Sequence, residues 1–233
     1  MSTSKPRSSD LIPFLEHGDR LSRDEFERRY AAMPNIKKAQ LIEGVVYMPS
    51  PVRLDVHGAP HSDLMWWLGH HRVFTPGVIV GDNTTVRLDM HNEPQPDAFL
   101  LLDPKQGGQS SLSDDGYVEG APELIAEVSS STASFDLHTK KTMYRRNEVR
   151  EYLVWRVLDR EIDWFAARGS EFVPLVPDGS GILRSEVFPG LWLDTPALLR
   201  GDLAGVLTVL QQGLASPEHA AFLQKHTKMN GGS

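Results

Sequence analysis

The chain has no cysteine, which excludes disulfides, thiolate metal centres and cysteine nucleophiles together. It has no apolar run near the roughly 18 residues that span a bilayer. The first ten residues are polar and lack the apolar core of a signal peptide. These absences favour a reducing cytoplasm over a membrane or an oxidising compartment. Cations are also in deficit: 24 Lys and Arg stand against 31 Asp and Glu, a net charge of −7. Nonspecific affinity for nucleic acid comes mostly from basic residues, so the chain is not a general polyanion binder. Any role on DNA must rest on a local basic surface. Neither an internal repeat nor a linker is visible. What remains is an ordinary globular balance, 40% hydrophobic and 24% charged over 233 residues, enough for one well-buried core.

Local patterns predict an α+β order. Ser22-Arg23-Asp24-Glu25 is a capping-box pattern, with Phe26, Tyr30 and Met33 at helical spacing before Pro34. Residues 39–48 read as a tight hairpin around Glu43-Gly44. His57 to His70 reads as a helix, and Val78 to Val80 and Thr85 to Leu88 as short strands. Residues 103–121 are rich in Gly, Ser and Asp and predict a long loop, with a small hairpin about Asp114-Asp115-Gly116. A helix is expected over about residues 135–147, then strands at Tyr152 to Trp155 and Ile162 to Phe165. A C-terminal helical segment follows Phe188 to Leu193, and Met229 to Ser233 is expected as a frayed tail.

Two acids stand out against this background. Asp97 opens the apolar run Ala98 to Leu102, and Glu127 lies inside Leu124 to Val128. An ionised carboxylate taken out of water is costly unless it is paired or binds a metal. Two such costs in nearby strands are explained most simply by a divalent cation held between them. The competing view makes Asp97 a turn residue and puts Glu127 on a solvated face. Alternation places Ile125 and Glu127 on one face, with Ala126 and Val128 on the other. Phosphodiester hydrolysis needs an activated water and neutralisation of charge on phosphate, which one or two Mg²⁺ ions on hard oxygen ligands supply. A lysine ammonium can orient the water or stabilise developing charge. On a helix starting near Asp136, Leu137, Tyr144 and Glu148 share one face, and Lys140 and Lys141 flank it, so periodicity leaves both open for that role.

Segments Gln40-Leu41-Ile42-Glu43-Gly44, Pro96-Asp97, Ala121 to Val128, Asp136 to Lys140, Val149-Arg150-Glu151-Tyr152 and Phe188 to Leu191 resemble the bacterial putative restriction-endonuclease family of the PD-(D/E)XK superfamily. The resemblance runs from about residue 19 to about residue 200. It implies a restriction-endonuclease-like core, a mixed sheet flanked by helices, with Mg²⁺ (or Mn²⁺) on Asp97 and Glu127. It also implies that the lysine is Lys140, on the helix after the strand, since Ser129 stands two residues beyond Glu127. Gln40 occupies the place where the family usually has a further catalytic Glu, and an amide is the poorer ligand. Glu43, at the hairpin tip, is an unlikely substitute by strand geometry.

Lys140, Lys141, Arg145, Arg146 and Arg150 form the densest basic patch, and Lys141, Arg145 and Arg146 are the expected DNA contacts. The plainer reading is a solvated helix face with cations near its C-terminus. His57 and His61 have the i, i+4 spacing of some zinc pairs, yet Pro60 interrupts the turn and no metalloprotease Glu lies between them. The hydroxyls of Ser129 to Thr132 suit a strand-to-helix connection better than a nucleophile. The five tryptophans suit a core or interface. The expectation is a cytoplasmic, homodimeric Mg²⁺-dependent DNA endonuclease. Its core would span residues 19–200, between an extension at 1–18 and a helical segment at 201–233. The rival expectation is a catalytically weakened nuclease-fold protein that binds DNA or another protein.

Overall fold

The structure is a computed structural model and describes residues 12–49 and 51–230. Helix α1 (Arg23–Ala31) starts after Ser22, as its sequence predicts. The capping box does not close, because Ser22 makes no side-chain cap bond and Arg28 and Arg29 draw the Glu25 carboxylate away at 2.7 to 2.8 Å. Phe26 of this helix packs with Leu41 and Val46 of the hairpin formed by β1 (Gln40–Ile42) and β2 (Val45–Tyr47). The hairpin turns at Glu43 and Gly44, whose φ values are 52° and 72°, the left-handed pair of a type I′ turn. Glycine adopts this freely. Glu43 is held there by its N–H, which donates to Asn92 Oδ1 at 2.7 Å.

A π-turn at Leu54–Gly58 leads into α2 (Ala59–Phe74). The strands β3 (Val78–Asp82), β4 (Val86–Arg87), β5 (Ala98–Leu102), β6 (Ser111–Leu112), β7 (Val118–Glu119) and β8 (Leu124–Ser129) follow. The chain then forms α3 (Ala133–Phe135), a second π-turn at Asp136–Lys140, and α4 (Lys141–Arg146). Next come β9 (Glu151–Arg156), β10 (Glu161–Arg168), β11 (Glu171–Pro174), β12 (Ile182–Arg184) and β13 (Trp192–Asp194). Helices α5 (Thr195–Leu199), α6 (Leu203–Leu214) and α7 (Pro217–Asn230) complete the order. The predicted tail begins inside α7, since Met229 and Asn230 are helical; Gly231 to Ser233 lie outside the described residues, as does the segment 1–11.

Six strands form the central sheet in the order β11-β10-β9-β8-β5-β3. All neighbours are antiparallel except β8 and β9, which run parallel across the α3–α4 connection. Alternation then divides the residues between two cores. Ala98, Leu100, Leu124, Ala126, Val128 and Leu153 face α2 and α6, meeting Trp67, Leu68, Val206 and Leu210. Phe99, Leu101, Ile125, Tyr152 and Val154 face the other way, onto Met143 and Tyr144 of α4. The result is an α+β fold, a mixed sheet with helices on both faces. At β3 the Phe99 ring lies across Gly81, its strand partner, where an added Cβ would meet it at 1.9 Å.

The hairpin about Asp114-Asp115-Gly116 forms between β6 and β7, and β4 joins it in parallel to make a small three-stranded sheet. Three further strands, β11, β12 and β13, lie outside the expected set. β11 is an edge strand with one buried residue, Phe172, so it carries little alternation. β12 is three residues long, too short for periodicity to register.

Candidate active site

The register of β5 and β8 decides whether the two acids can act together. Ala98 stands opposite Ala126, so the next position outward sets Asp97 opposite Glu127. Directly opposed residues of an antiparallel pair project to the same face with Cβ atoms about 5 Å apart. That face is the one Phe99, Leu101 and Ile125 share with α4. Asp97 is 6% exposed and Glu127 3%, so Glu127 is not on a solvated face and Asp97 is not a surface turn residue.

Asp97 is oriented by β8 itself: Oδ2 accepts the Val128 N–H at 2.8 Å. Oδ1 accepts no hydrogen bond among the described residues and faces two cationic or imidazole nitrogens, His57 Nε2 at 3.6 Å and Lys38 Nζ at 3.9 Å. Lys38 is itself steered by Asn83, whose Oδ1 accepts from Nζ at 2.6 Å. Both residues were beyond the reach of sequence patterns, because Lys38 and Asn83 are 45 positions apart.

Glu127 is enclosed by α4 and its π-turn. Oε1 accepts the Tyr144 hydroxyl at 2.8 Å and lies 3.0 Å from Lys140 Nζ. Lys140 is 6% exposed and also lies 3.1 Å from Asp136 Oδ1. Asp136 is fixed in turn by the hydroxyls of Ser129 and Thr132, both donating to Oδ2. Those hydroxyls therefore serve neither a nucleophile nor a simple turn; they orient the carboxylate that holds Lys140. Burial pushes the Glu127 carboxyl up to about 7 against the opposing pull of Lys140, with Asp97 and Asp136 adding to the rise. Burial works against the Lys140 charge, but Glu127, Asp136 and Asp97 outweigh it and hold the ammonium protonated above its ordinary range.

The other expected residues fall elsewhere. Lys141, left open beside Lys140, turns outward and places its ammonium 3.5 Å from the centre of the Phe165 ring. Gln40 is buried, and its Oε1 accepts the Gln95 N–H at 3.3 Å; among the described residues no hydrogen bond joins it to Asp97 or Glu127. Glu43 is at the hairpin tip, clamped by Arg146 at 2.7 Å. Lys141, Arg145 and Arg146 line an open cleft of about 1180 Å³ with Thr139, Thr142 and Phe172, on the helix face away from Lys140. Arg146 is neutralised there by Glu43 and Asp89, while Arg145 Nε is buried without a hydrogen-bond partner among the described residues. His57 and His61 stack with ring centres 5.9 Å apart, yet their Nε2 atoms have different neighbours. His61 Nε2 meets the Asp97 carbonyl at 3.0 Å and Asp82 Oδ1 at 3.2 Å. They do not form a chelating zinc pair. Trp67 and Trp164 are core residues that meet edge to face.

Among the described residues no group of three or more His, Cys, Asp or Glu is arranged to cage a metal ion. The donor set fits a more open site. Asp97 Oδ1 and Glu127 Oε2 are carboxylate oxygens that accept no hydrogen bond among the described residues, on facing positions of one sheet face. Hard divalent ions are commonly held by one or two carboxylates, with waters and substrate phosphate completing the shell.

No curated protein matches the chain significantly. Among solved structures, one described as a "putative nuclease belonging to DUF820" from Anabaena variabilis ATCC 29413 aligns over 74% of this chain and 96% of its own, with a TM-score of 0.54 and 13% identity. That likeness establishes the fold. No helix among the described residues is long and apolar enough to cross a membrane. The sequence model of the Uma2 family, described as "Putative restriction endonuclease", matches residues 23–196, and the chain belongs to that family.

Proposed function

We propose that the protein is a divalent-metal-dependent DNA endonuclease whose centre is Asp97, Glu127 and Lys140. The observation that supports this best is the cross-strand pairing of two buried carboxylates with a buried lysine 3.0 Å from one of them. Asp97 and Glu127 would hold Mg²⁺ or Mn²⁺, which when bound neutralises phosphate charge and lowers the pKa of a water. The chain's own contribution is orientation and charge. The Val128 N–H fixes Asp97, Tyr144 fixes Glu127, and Asp136 fixes Lys140 beside the place where negative charge would develop. A preorganised cation of this kind stabilises the transition state without rearranging during reaction. Lys38, beside Asp97, is the nearest half-buried cation able to meet a backbone phosphate. Lys141, Arg145 and Arg146 would serve as outer contacts, with Arg146 first having to leave Glu43. Cleavage of both strands would require two such centres, as in a homodimer, and a cytoplasmic setting would match the cysteine-free sequence.

The test is relaxation of supercoiled plasmid by the purified chain in Mg²⁺ or Mn²⁺, beside Asp97→Ala and Glu127→Ala proteins prepared identically. Cleavage by the wild type alone supports the proposal; equal cleavage by all three shows contamination and removes it. A second reading, a non-catalytic nuclease-fold protein that binds DNA or a protein, is favoured by one observation: Gln40 is engaged by the Gln95 amide and supplies no third acid. Absence of Mg²⁺ and Mn²⁺ binding in calorimetry would favour that reading.

A further inference from the structure

Sequence reading discounts the histidines as a zinc pair, and the structure agrees that they do not chelate together. It also places one of them at the candidate centre with a ring nitrogen that makes no hydrogen bond among the described residues. His57 lies in the π-turn before α2, and its Nδ1 is 3.0 Å from the Val128 carbonyl. A carbonyl only accepts, so Nδ1 is the donor of that bond and Nε2 is the ring nitrogen turned toward the centre. Nε2 faces Asp97 Oδ1 at 3.6 Å, beyond the normal range of an N–H···O bond.

From this geometry we infer that an ion taken up by Asp97 and Glu127 draws in His57 Nε2 as a nitrogen ligand that is not yet converged with them in the metal-free arrangement, and that the centre prefers a first-row transition ion such as Mn²⁺ over Mg²⁺. The inference rests on the metal-dependent reading above. Two features carry it. Donation of the opposite ring nitrogen to a backbone carbonyl is the usual way a metal-binding imidazole is oriented and its tautomer set. That carbonyl belongs to Val128, whose N–H binds Asp97 Oδ2 and whose neighbour is Glu127, so one peptide stretch positions all three side chains. His61 is not equivalent, because its Nε2 is committed to the Asp97 carbonyl and Asp82. A nitrogen ligand disfavours Mg²⁺, which takes oxygen ligands and keeps its waters.

Pulsed electron paramagnetic resonance of the full chain loaded with MnCl₂ tests this without reference to activity. A bound imidazole nitrogen gives ¹⁴N modulation of the Mn²⁺ echo. The expected result is modulation in the wild type and in His61→Gln but not in His57→Gln. His57→Gln should bind Mn²⁺ at least about tenfold more weakly and show less discrimination between Mn²⁺ and Mg²⁺. Glutamine can still donate to the Val128 carbonyl, and a thermal melt checks that the variant is folded. Mn²⁺ bound in an Asp97-dependent way without nitrogen modulation overturns the His57 assignment and leaves the carboxylate centre standing. Modulation that persists in folded His57→Gln overturns it too. Failure of the wild type to bind Mn²⁺ overturns both readings.

Discussion

Metal binding should weaken as pH falls from 8 to 6, because Glu127 must give up its proton to become a ligand. Burial raises that carboxyl from 4.5 to about 7. At pH 6 roughly one Glu127 in eleven is then ionised, and at pH 8 roughly ten in eleven, so apparent Mn²⁺ affinity should drop about tenfold between them. One proton should be released per ion bound at pH 6 and almost none at pH 8. Calorimetric titration with MnCl₂ in two buffers of different ionisation enthalpy reads both quantities. Affinity that stays level from pH 6 to 8, with no proton release, would refute the reasoning. The same shift acts on the metal-free protein in the opposite sense to a depressed carboxyl. Between pH 4.5 and 7 the folded state keeps a proton that the unfolded chain has released. Stability therefore falls as pH rises through that window, by about 3 kcal/mol in order of magnitude. Saturating Mn²⁺ should abolish that fall.

Lys140→Met leaves Glu127 and Asp136 buried without their shared ammonium. Urea unfolding at pH 8 should show a loss of about 3–5 kcal/mol, smaller at pH 5 where Glu127 holds its proton. Asp136→Asn should lower plasmid cleavage at least tenfold, in the range of removing a preorganised electrostatic contact. Its Mn²⁺ dissociation constant should stay nearly unchanged, because Asp136 acts on Lys140 and not on the ion. Gly81→Ala drives a methyl into the Phe99 ring and should cost about 1–3 kcal/mol in thermal unfolding, with no change in metal affinity.

Asp97 and Glu127 were legible because each breaks an apolar strand, a conflict that charge and burial expose without any structure. Their shared face follows from the register, which rests on long-range pairing, although alternation already set Ile125 and Glu127 together. The choice between Lys140 and Lys141 was not legible from periodicity. The π-turn over Asp136–Lys140 departs from the regular helical repeat on which that test rests. Lys140 falls into the core and Lys141 onto Phe165. Asp136, Ser129 and Thr132 fit an ordinary strand-to-helix connection by composition, and only burial distinguishes a hub from a cap. Other buried acids have structural work of the same kind. Glu123 receives the N–H groups of Leu102 and Gln109, and Glu151 receives those of Glu186 and Val187 with the Ser185 hydroxyl. In the sequence Glu123 and Glu151 stand directly before the apolar runs Leu124 to Val128 and Tyr152 to Trp155, and Glu127 inside the first. The difference between Glu127 and the others lies in their partners: neutral donors hold Glu123 and Glu151, backbone amides for both with the Ser185 hydroxyl and the Trp164 indole N–H added at Glu151, whereas Glu127 meets a lysine, a tyrosine and a facing aspartate.

The central claim is that the facing acids form a divalent-metal centre. Anomalous diffraction from crystals soaked in MnCl₂ tests it most directly. The account predicts a peak bonded to one carboxylate oxygen of Asp97 and one of Glu127, absent from crystals of Asp97→Ala. Clear manganese sites elsewhere in the protein, with none between these two carboxylates, would contradict it.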